Sequence, residues 1–361
     1  MTSRSPTRFY GIQVLRGIAA VLVLLHHQIV AIRDIRIAGA ERFFILTRGA
    51  FGVDIFSPVS GFVMYLAASK ALRQPEAGRA AGEFASRRFI RVASLYWLFT
   101  TLRLIVVRIT AAVSLLSHFS FWYIVTSYLF LPAYNPQGLV LPVLSAGWTL
   151  SYEMLLYAVV SVCILCRAPL LTWCTVVIGT LSVAGIVIPH SWGATWLANP
   201  IELEFLGGLF LAALCLRRVL LPPVLAISIA IASILFVALI PWEAEESLLR
   251  ALLWGVPGCL LLWAFTSLES VADLSRHTFL LLLGDASYSL YLTHLFFVPI
   301  TARAIGRLHL EGMLTLAIAQ AVGAAITVGF AIAIHLRIEQ ALMSFFSGRI
   351  PWSLRSVEER A

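Results

Sequence analysis

Apolar runs of roughly 17 to 25 residues, the length a helix needs to cross hydrocarbon, recur along this whole chain of 361 residues. Ten stretches read as spans: 12–32, 50–68, 89–110, 147–166, 169–188, 200–216, 219–240, 248–267, 279–302 and 313–336. Hydrophobic residues make up 60% of the chain and charged ones 12%, about half the charge of an ordinary soluble domain. The sequence therefore predicts an all-α, polytopic membrane helix bundle of about ten transmembrane helices. An eleventh apolar stretch, "HFSFWYIVTSYLFLP" (118–132), is short and rich in Trp and Tyr, and three readings of it stay open: a span, a re-entrant segment, or an interfacial one. Arg4, Arg8 and Arg16 precede an apolar core as in a signal peptide. No small-residue cleavage site follows, so the first helix is expected to be retained.

Arginine placement sets the expected topology. With both termini cytoplasmic and 118–132 not crossing, the inside receives Lys70, Arg73, Arg79, Arg87 and Arg88, then Arg167, Arg217, Arg218 and Arg276. The acidic turn "PWEAEE" (241–246) then falls outside. One loop disagrees: 33–48 would lie outside yet carries Arg33, Arg36, Arg42 and Arg48. The net charge of +8 reads as this cytoplasmic bias rather than as a nucleic-acid surface. Residues 1–345 form the predicted membrane domain and 346–361 a cytoplasmic tail. Five cysteines lie in or beside apolar helices, and Cys163-x-x-Cys166 in "VSVCILCRA" reads as packing. No His-Glu-x-x-His and no Cys/His quartet suggests a metal.

Ionisable groups within a bilayer are costly and generally face a cavity, a partner or a pathway. Arg16 opens the first helix, and "RRFIR" opens the third. There Arg88 and Arg91, three apart, share one face. Guanidinium groups so placed suit phosphates, or anchor to lipid headgroups. His27 lies eleven residues beyond Arg16, ~16 Å along a helix. Asp54 and Glu153 enter their spans from the opposite side and can reach the same depth. A histidine beside a carboxylate suits general-base catalysis; the alternative is a buried polar pair that ties helices together. Ser287, Tyr291 and His294 form one stripe of a later helix, facing either substrate or a neighbouring helix.

Five stretches, in order, are "LRGIAAVLVLLHH", "GAFGVDIFSPVSGFVM", "RRFIRVASLYW", "GWTLSYEMLLY" and "LGDASYSLYLTH". Together they resemble the integral-membrane acyltransferase-3 family of bacteria over essentially the whole chain, and most closely its exopolysaccharide O-acetyltransferase branch. The resemblance implies a ten-span fold in the inner membrane. It implies an O-acyltransferase that moves an acyl group, acetyl in this branch, from cytoplasmic acyl-CoA to a hydroxyl of a glycan. Acyl-CoA would be a co-substrate, with no permanently bound cofactor. Residue by residue, it assigns Arg16, Arg88 and Arg91 to the phosphates of coenzyme A. It assigns the base to His27 rather than His26, with Asp54 or Glu153 orienting the ring. The chain departs from the family pattern at Ser57-Pro58, which is expected to bend the second helix, and at Ser94, where a proline is usual. Three other readings stay open: His27 as a nucleophile that forms an acyl-imidazole, a membrane transporter, and a non-catalytic component of a polysaccharide export system.

Overall fold

The computed structural model describes residues 9–109, 119–188, 192–197, 199–240, 248–269, 271–310 and 312–346. The acidic turn 241–246, His118, His190 and the tail from residue 347 onward lie outside the described residues. Every one of the ten predicted spans is helical. They are α1 (Tyr10–Asp34), α2 (Phe51–Ala71), α3 (Ala77–Ile109), and, after a short α4 (Phe121–Tyr128), α5 (Gly147–Cys166) and α6 (Leu170–Val187). Next come α7 (Ile201–Leu216), α8 (Pro223–Leu239) and α9 (Val256–Leu268), the last entered through a π-helical turn at Ala251–Gly255. The chain continues through α10 (Thr278–Asp285), α11 (Ser287–Arg307) and α12 (Met313–Ile334). A second π-helical turn, His335–Glu339, leads into α13 (Gln340–Phe346).

Among the described residues, seven helical stretches are long and apolar enough to cross a bilayer, and α10 with α11, bent by 70° at their junction, can make an eighth. At 16 and 17 residues, α7 and α8 are shorter, so a count of ten requires that both of them also cross. The molecule is thus a multi-pass membrane bundle. Helix α4, with eight residues, is ~12 Å long and too short to span. Ser120 caps its start by accepting from the Tyr123 amide at 3.1 Å, and Trp97 of α3 donates to the Tyr128 carbonyl at 2.8 Å.

Tertiary contacts place the arginine-rich turns at one end. Arg167, just past α5, donates to the carbonyls of Leu72, Gln74 and Pro75 between α2 and α3. The chain therefore leaves α3 and enters α5 at the opposite end. The Gly11 amide of α1 donates to Glu269 beyond α9, and the Leu221 amide to Ser267 of α9 at 3.0 Å. These contacts put the start of α1, the α7–α8 turn and the end of α9 at the arginine-rich end too.

Small residues let α2 sit at the centre of the bundle. A Cβ on Gly208 of α7 would lie 1.9 Å from the Pro58 carbonyl oxygen, and one on Gly61 would lie 2.0 Å from that of Phe205. The two backbones touch there, as helices in lipid do where side chains are absent. The predicted bend at Pro58 does not end the helix, which runs unbroken from Phe51 to Ala71. Proline has no amide to give the Asp54 carbonyl, and Gly258 of α9 packs against that oxygen, where its own Cβ would come within 2.1 Å. The departure at Ser94 also serves packing: its hydroxyl is buried and meets the Met343 sulfur at 3.9 Å.

Candidate active site

Two cavities lie back to back along α1. The first, nearer the arginine-rich end and about 110 Å³, is lined by Arg16, Arg88, Arg91, Glu153, Tyr157 and Tyr288, among others. The second, about 460 Å³, is lined by His26, His27 and His294 with Arg33, Arg48, Arg250 and Trp148. Val53 of α2 and Tyr291 of α11 line both. These two side chains form the partition between an arginine cavity and a histidine cavity. The Tyr291 hydroxyl is held in place by Thr149 at 2.9 Å and by the Ala146 carbonyl, to which it donates at 3.1 Å.

The arginine cavity draws its charge from two helices. Arg16 and Arg88 are 9% and 7% exposed, so their guanidinium groups are spent on the interior rather than on solvent. Gln13, one turn before Arg16, accepts from it at 3.3 Å. Arg91 joins them because α3 returns it to the face of Arg88. The structure therefore brings together all three arginines that the sequence proposes for phosphate. Glu153 is also here, not beside His27: its carboxylate accepts from the Tyr157 hydroxyl one turn on. Behind α11, Glu339 accepts from Ser289 at 2.6 Å and from His335 Nδ1 at 2.9 Å. That buried group braces α11 against the π-turn.

The histidine cavity is built differently. His27 Nδ1 lies 2.9 Å from the Val23 carbonyl oxygen. A carbonyl only accepts, so Nδ1 carries the proton and the neutral ring keeps its lone pair on Nε2. His26 makes the same bond to the Thr47 carbonyl at 2.7 Å, and His294 to the Leu290 carbonyl at 3.3 Å. Three imidazoles thus present Nε2 as an acceptor. The rings of His27 and His294 are 4.7 Å apart, and Nε2 of His294 is buried with no hydrogen-bond partner among the described residues.

Asp54 is 1% exposed, and both its oxygens are gripped by Arg250, each at 2.9 Å. This bidentate geometry is the strong form of a carboxylate–guanidinium contact. Glu204 of α7 lies against Asp54 and Ser57. The expected carboxylate beside His27 is therefore replaced: Asp54 holds Arg250, Glu153 holds Tyr157, and a backbone carbonyl orients the imidazole. Arg250 and Glu204 did not figure in the sequence-based site. Their one signal is that each is an ionisable residue at the edge of an apolar run, "SLLRALLWG" and "IELEFLGG".

Residues 9–336 match the model of a family described as an acyltransferase domain. The chain is also 32% identical over 273 residues to an exopolysaccharide production protein, ExoZ, of Rhizobium meliloti strain 1021, which covers 72% of this chain and 79% of that protein. No solved structure matches it.

Proposed function

The chain belongs to the acyltransferase family whose domain spans it, and from that premise we propose that it O-acylates an exopolysaccharide-type glycan with acyl groups from cytoplasmic acyl-CoA, acetyl-CoA first among them. Arg16, Arg88 and Arg91 hold the donor phosphates at the cytoplasmic mouth. At about 110 Å³, the arginine cavity is slimmer than an ordinary ligand pocket of ~300 Å³ or more. It suits an extended arm threading toward Tyr291 rather than a compact ligand. The acceptor enters the histidine cavity from the other side. His27 Nε2 takes the proton of its hydroxyl as the oxygen bonds to the acyl carbon. The carbon–sulfur bond breaks, and the thiolate leaves with the electron pair. Asp54 contributes at one remove, by fixing Arg250 at the cavity wall.

One observation carries this reading: a histidine with its lone pair on Nε2 sits across a partition of two side chains from three arginines. In this topology both termini are cytoplasmic, ten helices cross the inner membrane, and the arginine-rich end faces the cytoplasm. Purified protein in lipid nanodiscs, given radiolabelled acetyl-CoA and glycan, should form base-labile glycan ester. His27→Ala should still insert and form it about 10²–10⁴-fold more slowly. Ester formation by His27→Ala at the wild-type rate would overturn the assignment of the base. A transporter would instead accumulate unmodified solute in sealed vesicles, with no ester.

A further inference from the structure

One hydrogen-bond acceptor in the histidine cavity is left over by the fold. His294 is 1% exposed, and its Nε2 has no hydrogen-bond partner among the described residues. Its Nδ1 faces the Leu290 carbonyl at 3.3 Å, so the unpartnered nitrogen is the one that carries the lone pair. A buried polar atom without a partner costs free energy that a bound hydroxyl can return. His294 lines the same cavity as His27, with the two ring centres 4.7 Å apart. Neither imidazole can satisfy the other, because each offers Nε2 as an acceptor and not as a donor. A pair of adjacent hydroxyls supplies one donor to each ring. We infer that His294 Nε2 accepts a hydrogen bond from a second hydroxyl of the acceptor, on the ring carbon next to the one that is acylated. The substrate is then a sugar unit with a vicinal pair of free hydroxyls, and His294 is the residue that selects it. This assignment rests on the reading of the histidine cavity as the acceptor site.

The helix that carries His294 is pinned on three sides. Tyr288 donates to the Val92 carbonyl of α3 at 2.7 Å, Ser289 to Glu339 at 2.6 Å, and Tyr291 to the Ala146 carbonyl at 3.1 Å. His294 follows Tyr291 by three residues, so the rotation of α11 that these bonds fix also fixes where its ring points. In the reaction the two histidines keep separate roles. His27 Nε2 takes the proton of the attacking hydroxyl, the new carbon–oxygen bond forms, and the carbon–sulfur bond breaks with its electron pair on sulfur. The neighbouring hydroxyl keeps its own proton and donates a hydrogen bond to His294. That bond orients the sugar so that one oxygen, and not its neighbour, meets the acyl carbon. A site built to hydrogen-bond a hydroxyl rejects the analogue lacking it far more strongly than an apolar pocket rejects one missing methylene.

The test uses full-length protein in nanodiscs, acetyl-CoA, and exopolysaccharide from cells in which the gene is deleted. NMR of the product first locates the ester. At least one ring carbon beside the esterified one should carry a free hydroxyl; substituents or no oxygen on both neighbours would overturn the inference. An oligosaccharide fragment of that glycan is then compared with versions in which each neighbouring hydroxyl is replaced in turn by hydrogen. Wild-type protein should use one deoxy fragment roughly tenfold or more less well in kcat/KM, with the acetyl-CoA constant unchanged. His294→Phe should be poor with the intact fragment and lose nothing further with that deoxy one, because the two changes remove the same contact. A merely structural histidine would slow both fragments alike and leave their ratio as in wild type. Equal use of intact and deoxy fragments by wild-type protein, or an unaltered ratio in His294→Phe, would overturn the role of His294. The fragment comparison needs only wild-type protein, so it stands even where His294→Phe impairs folding. Failure of the acylation reading shows separately, as no ester on the intact glycan, and takes this inference with it.

Discussion

The two cavities differ in how their charges are secured. In the arginine cavity the cations come from helix interiors near the arginine-rich end, where the membrane tolerates them, and Glu153 is taken up by a tyrosine on its own helix. In the histidine cavity the imidazole rings are fixed by backbone carbonyls of their own or an adjoining segment. The nearest strong ion pair joins residues 196 apart, Asp54 and Arg250. Both cavities draw on several helices, but the carboxylate of the first is satisfied within its own helix, whereas that of the second is satisfied across the bundle.

The sharpest way to break this contrast is at His27. Its replacement by Ala should cut ester formation by about 10²–10⁴-fold, the usual contribution of a positioned base, with unchanged membrane insertion and donor binding. Next is the tertiary ion pair. Asp54→Asn strips a carboxylate from a nearly buried guanidinium, a change that costs roughly 3–5 kcal/mol when one partner of such a pair is removed. Thermal unfolding in detergent should show that loss. Asp54→Asn combined with Arg250→Gln should be less destabilised than the two single changes summed. Strict additivity would separate Asp54 from Arg250.

Smaller effects sharpen the division of labour. Arg88→Ala should raise the half-saturating concentration of acyl-CoA about tenfold, the scale of one charge-assisted hydrogen bond, with the acceptor constant little changed. An unaltered donor constant would move the phosphates elsewhere. The least effect is expected at the partition. Tyr291→Phe removes the hydroxyl that ties the ring to Thr149 and Ala146, worth ~1 kcal/mol, or a few-fold in rate. Its signature is a change in turnover with both binding constants held. A matching rise in the donor constant would make Tyr291 part of the donor site instead.

Much of the bundle could be read before folding. Predicted spans 147–166 and 313–336 coincide with α5 and α12 to within two residues, because a predominantly apolar stretch of this length leaves a chain in lipid no alternative to internal backbone hydrogen bonding. The arginine counts put Arg167 and the 69–88 loop on one side, and the structure joins Arg167 to that loop by hydrogen bonds. The partners of the acids were not legible. Asp54 and Glu153 enter from the same side at similar depth, and helical spacing alone cannot say which way each faces. The arginines of 33–48 looked like an exception to a rule until two of them were found on a cavity wall.

The sequence by itself determined that this chain spans a membrane many times. It also set the Arg16 and His27 side chains some sixteen ångströms apart on one rod, since helix rise is a property of the backbone. It identified the family through five motifs in order. Only the tertiary structure decided that Arg250 claims Asp54, that His294 stands against His27, and that a tyrosine and a valine line both the arginine cavity and the histidine cavity. Such pairings depend on the rotation and offset of helices packed through Gly61 and Gly208, and those quantities are set by mutual shape rather than by any single segment.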